Sequence, residues 1–429
     1  MQSSEPENPY VVAGTVLQAS YVDFINFEMN GCTLSGFKIT GLNENHNPIK
    51  CENSSPTIAN CHIINNRGYF NGVIYCEKSS ARITNCKVES NRSNSGAGAI
   101  YCNRSNVNIL DCLVSNNYSY ESGAVFCMDH SNLNISGSSI FGNKNRPALR
   151  SNSESMLNVE NSIIAGNQSG GIYCEYSNVN IENVVITKNC NSYNDGEAIY
   201  SRNSQFFITN SIIWDNNTPG SAWEGAIWLT NSSAATVNYS DIQYGKEGIW
   251  SETPHKLIWD IGNINTDPCF VDPGNWDPNG TPAEYSNDYW VHGNYHLKSY
   301  GWRWIDGGSN WTWDYSTSRC IDAGNPGCSL SDEAITIPRD PDNEFGVNLR
   351  INMGAYGGTV QASMAPPGYG LLSDTDNNGR TDINDLNLLI DMWLDTGDKL
   401  NTDFDHDGNI DFVDFALLAT EWFEISDWY

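Results

Sequence analysis

The sequence predicts a stacked all-β solenoid, closed by an irregular aromatic-rich cap and followed by a small helical unit built on two cation loops. Three observations carry this reading. A unit of roughly 22 to 28 residues recurs through the first half of the 429-residue chain. The repeat then fades into a stretch dense in tryptophan. Near the end an acidic loop pattern appears twice, beginning at Asp374 and again at Asp403.

The repeat is visible in "VIYCEKSSARITNCKVESN", "AIYCNRSNVNILDCLVSNN", "AVFCMDHSNLNISGSSIFGN", "GIYCEYSNVNIENVVITKN" and "AIYSRNSQFFITNSIIWDN". Aligned, these units give three columns. One reads Cys51, Cys76, Cys102, Cys127, Ser151, Cys174, Ser201; a second Cys61, Cys86, Cys112, Ser138, Ser162, Val184, Ser211; a third Asn66, Asn91, Asn117, Asn143, Asn167, Asn189, Asn216. Short β-rich runs alternate with Asn, Ser and Gly, and no helical period appears before about residue 370. Such short runs are stable only as coils stacked about 4.8 Å apart. The pattern resembles the right-handed parallel β-helix of polysaccharide lyases and related extracellular proteins, and coils are expected over residues 1–245. The small Cys and Ser columns are expected to point inward. The Asn column is expected at a turn, in left-handed geometry, with each amide bonding the next coil's.

Eight of the thirteen cysteines fall in the two small-residue columns. Thiols stacked in register lie farther apart than a disulfide prefers, so they read as buried apolar fillers. Cys320 and Cys328, in "SRCIDAGNPGC", make the best candidate for a disulfide. Sequons at Asn91, Asn103, Asn117, Asn134 and Asn167 read first as turn chemistry.

Residues 246–363 form the expected cap and closing segment. Trp250, Trp259, Trp276, Trp290, Trp302, Trp304, Trp311 and Trp313 all lie there. A solenoid must cover the open edge of its last coil, and large apolar side chains do so. Exposed rings are the alternative, and Trp276, Trp290, Trp302, Trp304, Trp311 and Trp313 are the candidates for contact with a polysaccharide. "SRCIDAGNPG" and "RINMGAYGGTVQAS" resemble the closing segment of secreted bacterial β-helix proteins, which implies secretion and attachment. A short linker, residues 364–370, follows.

In residues 371–429, "DTDNNGRTDIND" and "DFDHDGNIDFVD" place Asp374, Asp376, Asn378, Asp382 and Asp385, then Asp403, Asp405, Asp407, Asp411 and Asp414, at loop positions 1, 3, 5, 9 and 12. Gly379 and Gly408 supply the sharp turn at position 6, and the backbone carbonyls of Arg380 and Asn409 serve position 7. Hard oxygen donors at this spacing suit two Ca²⁺ ions. Each loop leads into an amphipathic helix, with Leu386, Leu389, Ile390 and Trp393 matched by Phe415, Leu418, Ala419 and Trp422. Two such loops, with Asp at position 12, resemble a type I-like dockerin. The resemblance implies partner contact through positions 10 and 11, here Ile383, Asn384, Phe412 and Val413. Dockerins commonly carry small hydroxyl residues there, so an unusual cohesin-like domain, a surface protein and the protein's own body all stay open as the partner.

The formal net charge of −29 argues against nucleic acid, which demands Lys and Arg. No run of about 18 apolar residues is present, so no membrane-spanning segment is expected. "MQSSEPENPY" is polar and is no signal peptide, so the secreted reading places a leader outside this sequence. No catalytic residues emerge. Asp111, Asp129, Arg104 and Lys188 are scattered, Glu175, Glu197 and Glu224 flank turns, and Asp267, Asp272 and Asp277 sit in Asp-Pro turns or gather around a cation. Three readings are open: a secreted, non-catalytic, glycan-binding protein attached through a calcium-dependent dockerin; a polysaccharide lyase or glycoside hydrolase of unrecognised type; and a self-assembling fibre subunit joined to another copy of itself.

Overall fold

The computed structural model describes residues 1–25, 31–43, 46–68, 71–189, 198–216, 225–277, 288–305, 310–336 and 346–427. Two long parallel sheets, of 18 and 10 strands, run the length of a solenoid. One column shows how register is held. Ile49, Ile74, Ile100, Val125, Leu149, Ile172, Ile199, Ile227 and Ile249 pair in turn across the 10-stranded sheet, all buried. A slip of one residue would turn this column out to solvent, so the alternation specifies the stacking. Coils continue past residue 245, because Leu257–Trp259 pairs with the strand Ala234–Asn238. At the opposite end a short helix, Pro9–Gly14, is capped by Asn8, whose side chain accepts the Tyr10 N–H.

The corners of each coil are built from left-handed residues followed by inward polar ones. The Asn column is fully buried and forms a continuous amide ladder: Asn66 Nδ2 donates to Asn91 Oδ1 at 3.1 Å, Asn91 to Asn117 at 3.1 Å, Asn117 to Asn143 at 3.1 Å and Asn143 to Asn167 at 2.9 Å. Bonding between amides thus agrees with expectation. The left-handed geometry does not fall on these residues but on the ones before them: Asn65, Ser90, Asn116, Gly142, Gly166, Lys188 and Asp215. The turn needs positive φ one step earlier so that the ladder side chain can swing into the core. Sequons at Asn91, Asn117 and Asn167 are therefore ladder positions closed to solvent.

The second column follows the same rule. Cys61 N–H points to Cys86 Sγ at 3.4 Å, Cys112 N–H to Ser138 Oγ at 3.1 Å, and Val184 N–H to Ser211 Oγ at 3.1 Å. A small side chain with an acceptor atom satisfies a corner amide, which explains why Cys fills the first three rungs and Ser most of the later ones, with Val184 the exception. A further ladder, through Ser79, Ser105, Ser131 and Ser155, does the same at another corner. All cysteines among the described residues are free thiols. Cys320 and Cys328 are not a disulfide: Cys320 Sγ donates to Asp241 Oδ2 at 3.3 Å, and Cys328 Sγ lies 3.7 Å from Asn210 Nδ2.

The closing segment packs a second core on the flank of the coils, including Tyr239, Trp290, Tyr295, Leu297, Cys320, Met353 and Tyr369. Residues 364–370 are part of it. Met364 and Ala365 are buried, and Ser299 Oγ donates to the Met364 carbonyl, so the segment is a strap and not a loose tether.

Candidate metal centre in the acidic loops

Two helices, Ile383–Asp391 and Phe412–Thr420, follow the two acidic loops. Each begins with a capping box in which an Asp caps the helix and the Asp three residues on reaches back to the cap's own N–H. Leu389, Phe404, Ile410 and Leu418 bury the space between them.

The loops share their main hydrogen bonds position for position. Asp374 accepts the Asn378 N–H at 3.0 Å and the Gly379 N–H at 2.8 Å; Asp403 accepts the Asp407 N–H at 3.2 Å and the Gly408 N–H at 2.9 Å. Gly379 and Gly408 stand at φ 88° and 83°, which side chains adopt rarely. Asp385 accepts the Thr375 N–H at 2.7 Å, and Asp414 the Phe404 N–H at 2.7 Å. The result is a convergence of carboxylates: Asp374, Asp376 and Asp385 in the first loop, Asp403, Asp405 and Asp414 in the second, each trio with oxygens within 4.8 Å of one another.

Several features fit a hard cation. Burial pushes the Asp374 carboxyl up to about 7, with the Arg350 guanidinium opposing and Asp385 reinforcing the rise. Burial likewise pushes Asp385 up to about 6 and raises Asp403. Burial first, and the neighbouring carboxylates after it, disfavour the ionised forms of Asp374, Asp385 and Asp403, and a divalent ion reverses that balance. Asn378 Oδ1, at position 5, is buried without a hydrogen-bond partner. Asp382 and Asp411, also expected as ligands, cap their helices, each accepting an N–H two residues on.

The expected partner positions are all exposed: Ile383 at 56%, Phe412 at 77%, Val413 at 48%, with Asn384 beside them. Among the expected glycan-contact residues, Trp290 is a core residue and offers no face. Trp276 packs edge-on against it, Trp304 and Trp311 form a T-shaped pair, and Trp302 is half-buried; Trp313 is exposed beside Tyr300 and Tyr315. An outward aromatic column went unnoticed in the sequence. It runs Tyr75, Tyr101, Phe126, then Arg150, Tyr173, Tyr200, Trp228 and Trp250, with the guanidinium held between two rings. Its period is that of the coil, and the residue directly before each member of the first Cys and Ser column was the available signal.

The scattered charged residues pair locally: Arg104 with Asp129, Lys188 with Asp215, and Arg202 with Glu175. Asp267 and Asp272 accept backbone N–H groups two residues on, and Asp277 accepts the Tyr289 hydroxyl, so these three follow turn and strand chemistry. Glu197 and Glu224 lie outside the described residues. The two loop trios are the metal-capable clusters among the described residues. No described helix is long and apolar enough to cross a membrane.

A family model for a right handed beta helix region matches residues 47–194 and 147–265, together more than half of the chain. No curated protein and no solved structure matches.

Proposed function

Since the chain belongs to the right-handed β-helix family, we propose that it is a secreted, non-catalytic member that binds two Ca²⁺ ions in a dockerin-like unit and docks a partner through it. The observation that carries this reading is the repeated convergence of three carboxylates at identical loop positions, backed by the unpartnered Asn378 oxygen. Asp374, Asp376, Asn378 and Asp385 hold one ion, and Asp403, Asp405, Asp407 and Asp414 the other, with the Arg380 and Asn409 carbonyls completing each shell. Calcium supplies the charge that the crowded carboxylates lack. Ile383, Phe412 and Val413 then offer an apolar, carboxylate-flanked face to a cohesin-like domain or surface protein. Polysaccharide contact falls to the exposed rings Trp313, Tyr300 and Tyr315.

Calorimetric titration of the full chain with calcium is expected to give two ions per chain. The variant carrying both Asp374→Ala and Asp403→Ala is expected to bind none. Two-ion binding by that variant, or no binding by the natural chain, ends the reading.

A further inference from the structure

The two loops share a feature that ion binding does not require. At the fourth position of each, a polar side chain leaves the unit and grips the body of the protein. Asn377 Nδ2 donates to the Gly262 carbonyl at 2.7 Å and the Ala323 carbonyl at 2.8 Å. His406 Nε2 lies 2.8 Å from the Pro326 carbonyl. Both loops thus hold one short turn, "AGNPG", residues 323–327. Arg350, buried to 2% exposure, ties the same turn to the first loop: Nη2 donates to the Gly324 carbonyl and Nη1 to the Asp374 carbonyl, each at 2.6 Å. Gly327 lies against Leu400, whose carbonyl would stand 1.9 Å from any added Cβ. Lys399 completes the seam by pairing with Glu182 on the outer face of the coils.

Position 4 lies between two ligand positions, so whatever fixes residues 3 and 5 also fixes residue 4. A cation drawing Asp376 and Asn378 inward orients Asn377 towards Gly262 and Ala323, and one drawing Asp405 and Asp407 orients His406 towards Pro326. Without a cation the crowded carboxylates repel and favour a looser path. Resting on the calcium reading above, we infer that the loaded unit is seated in cis as a clamp on the closing segment around residues 318–328, and that ion binding and seating are one coupled event. The partner of this face is the chain itself, and the face bearing Ile383, Phe412 and Val413 stays free. Seating also builds one wall of a cleft of about 290 Å³ between Phe207, Thr236 and Asn238 on the coils and Asn325, Lys399 and Asn401 opposite.

Hydrogen exchange read by mass spectrometry, on the full chain in calcium and after EDTA, tests the coupling. Chelation is expected to speed exchange in peptides covering 318–328 by about tenfold or more, while peptides from the coils around 100–140 stay protected. The double variant Asn377→Ala, His406→Ala is expected to keep two calcium ions, bind them about tenfold more weakly by reciprocity, and exchange at the chelated rate in both conditions. If the double variant fails to fold, judged by the coil peptides, Asn377→Asp serves instead, since it keeps size and loses the donor. Two bound ions with unchanged protection of 318–328 overturn the clamp and leave the calcium reading standing. An absence of calcium binding in the natural chain overturns both. A double variant indistinguishable from the natural chain also overturns the clamp.

Discussion

The coils and the C-terminal unit solve the same problem in opposite ways. Both bury polar atoms in rows. In the coils every rung supplies the partner of the next, so Asn117 receives the Asn91 amide and gives its own to Asn143. In each of the two loops three carboxylates, all held by backbone N–H groups, converge to within 4.8 Å of one another, and Asn378 Oδ1 accepts from no donor at all. A self-satisfied ladder is indifferent to what is dissolved around it. A convergence of acceptors is a demand on the solvent, and the difference teaches where this protein is open to control.

The largest expected effect comes from breaking a ladder. Asn117→Ala removes the acceptor for Asn91 and the donor to the Val88 carbonyl, both at depths where water cannot substitute. A cost of about 3 kcal/mol is expected for these unsatisfied groups. Denaturant unfolding followed with and without EDTA should give the same loss in both conditions. A calcium-dependent loss would mean that the coils and the unit are not energetically distinct.

Emptying a single loop comes next. With calcium at about 100 times its dissociation constant, each site is expected to stabilise the chain by about 2.7 kcal/mol. The two loops should not respond equally. Asp374 and Asp403 are equally buried, but Arg350 ties the first loop to the closing segment and its Asp376 and Asn378 are half-buried, whereas Asp405 and Asp407 of the second loop are exposed. Asp374→Ala should therefore lower the melting temperature in calcium more than Asp403→Ala does. Equal shifts would show that the contact with the body adds nothing to the first site.

How much of this was legible in the sequence follows the same divide. The coils announce themselves because each rung repeats the same column, and Ile, Cys and Asn recur wherever the core demands them. The acidic loops are equally plain, since the spacing of their carboxylates is a local property of twelve residues. What stayed hidden was every relation between distant segments. Arg350 reads as an ordinary charged residue until the strap of residues 364–370 brings the first loop over Gly324. Asn377 and His406 look like filler between ligands, though a polar side chain at position 4 in both copies was the available signal. The amide ladder was read correctly but its left-handed residue was placed one position late, because sequence preference marks Asn for the turn and the structure uses Asn for the rung. The cysteine pair failed for a related reason: proximity along the chain said nothing of Asp241 and Asn210, which take the two thiols separately.

The most gradual effect isolates the boundary between the two regions. Asp241 sits fully buried where the last coils meet the closing segment, accepting the Thr266 N–H and the Cys320 thiol. Burial pushes its carboxyl up to about 8, far above the ordinary carboxylate value. Between those values the folded chain holds a proton that the unfolded chain has released, so folding takes up a proton. The contribution is complete at acidic pH and is lost as pH rises towards 8, with a slope no steeper than about 1.4 kcal/mol per pH unit. Melting in EDTA should therefore decline from pH 5 to pH 8, with Asp374 and Asp385 of the emptied loops, raised to about 7 and about 6, adding to the slope. Asp241→Asn, neutral at every pH, should make that decline shallower and leave the calcium response of the natural chain untouched. A variant with the same slope as the natural chain would move the origin of the pH dependence elsewhere, to Asp322 or Glu333, which burial raises in the same direction.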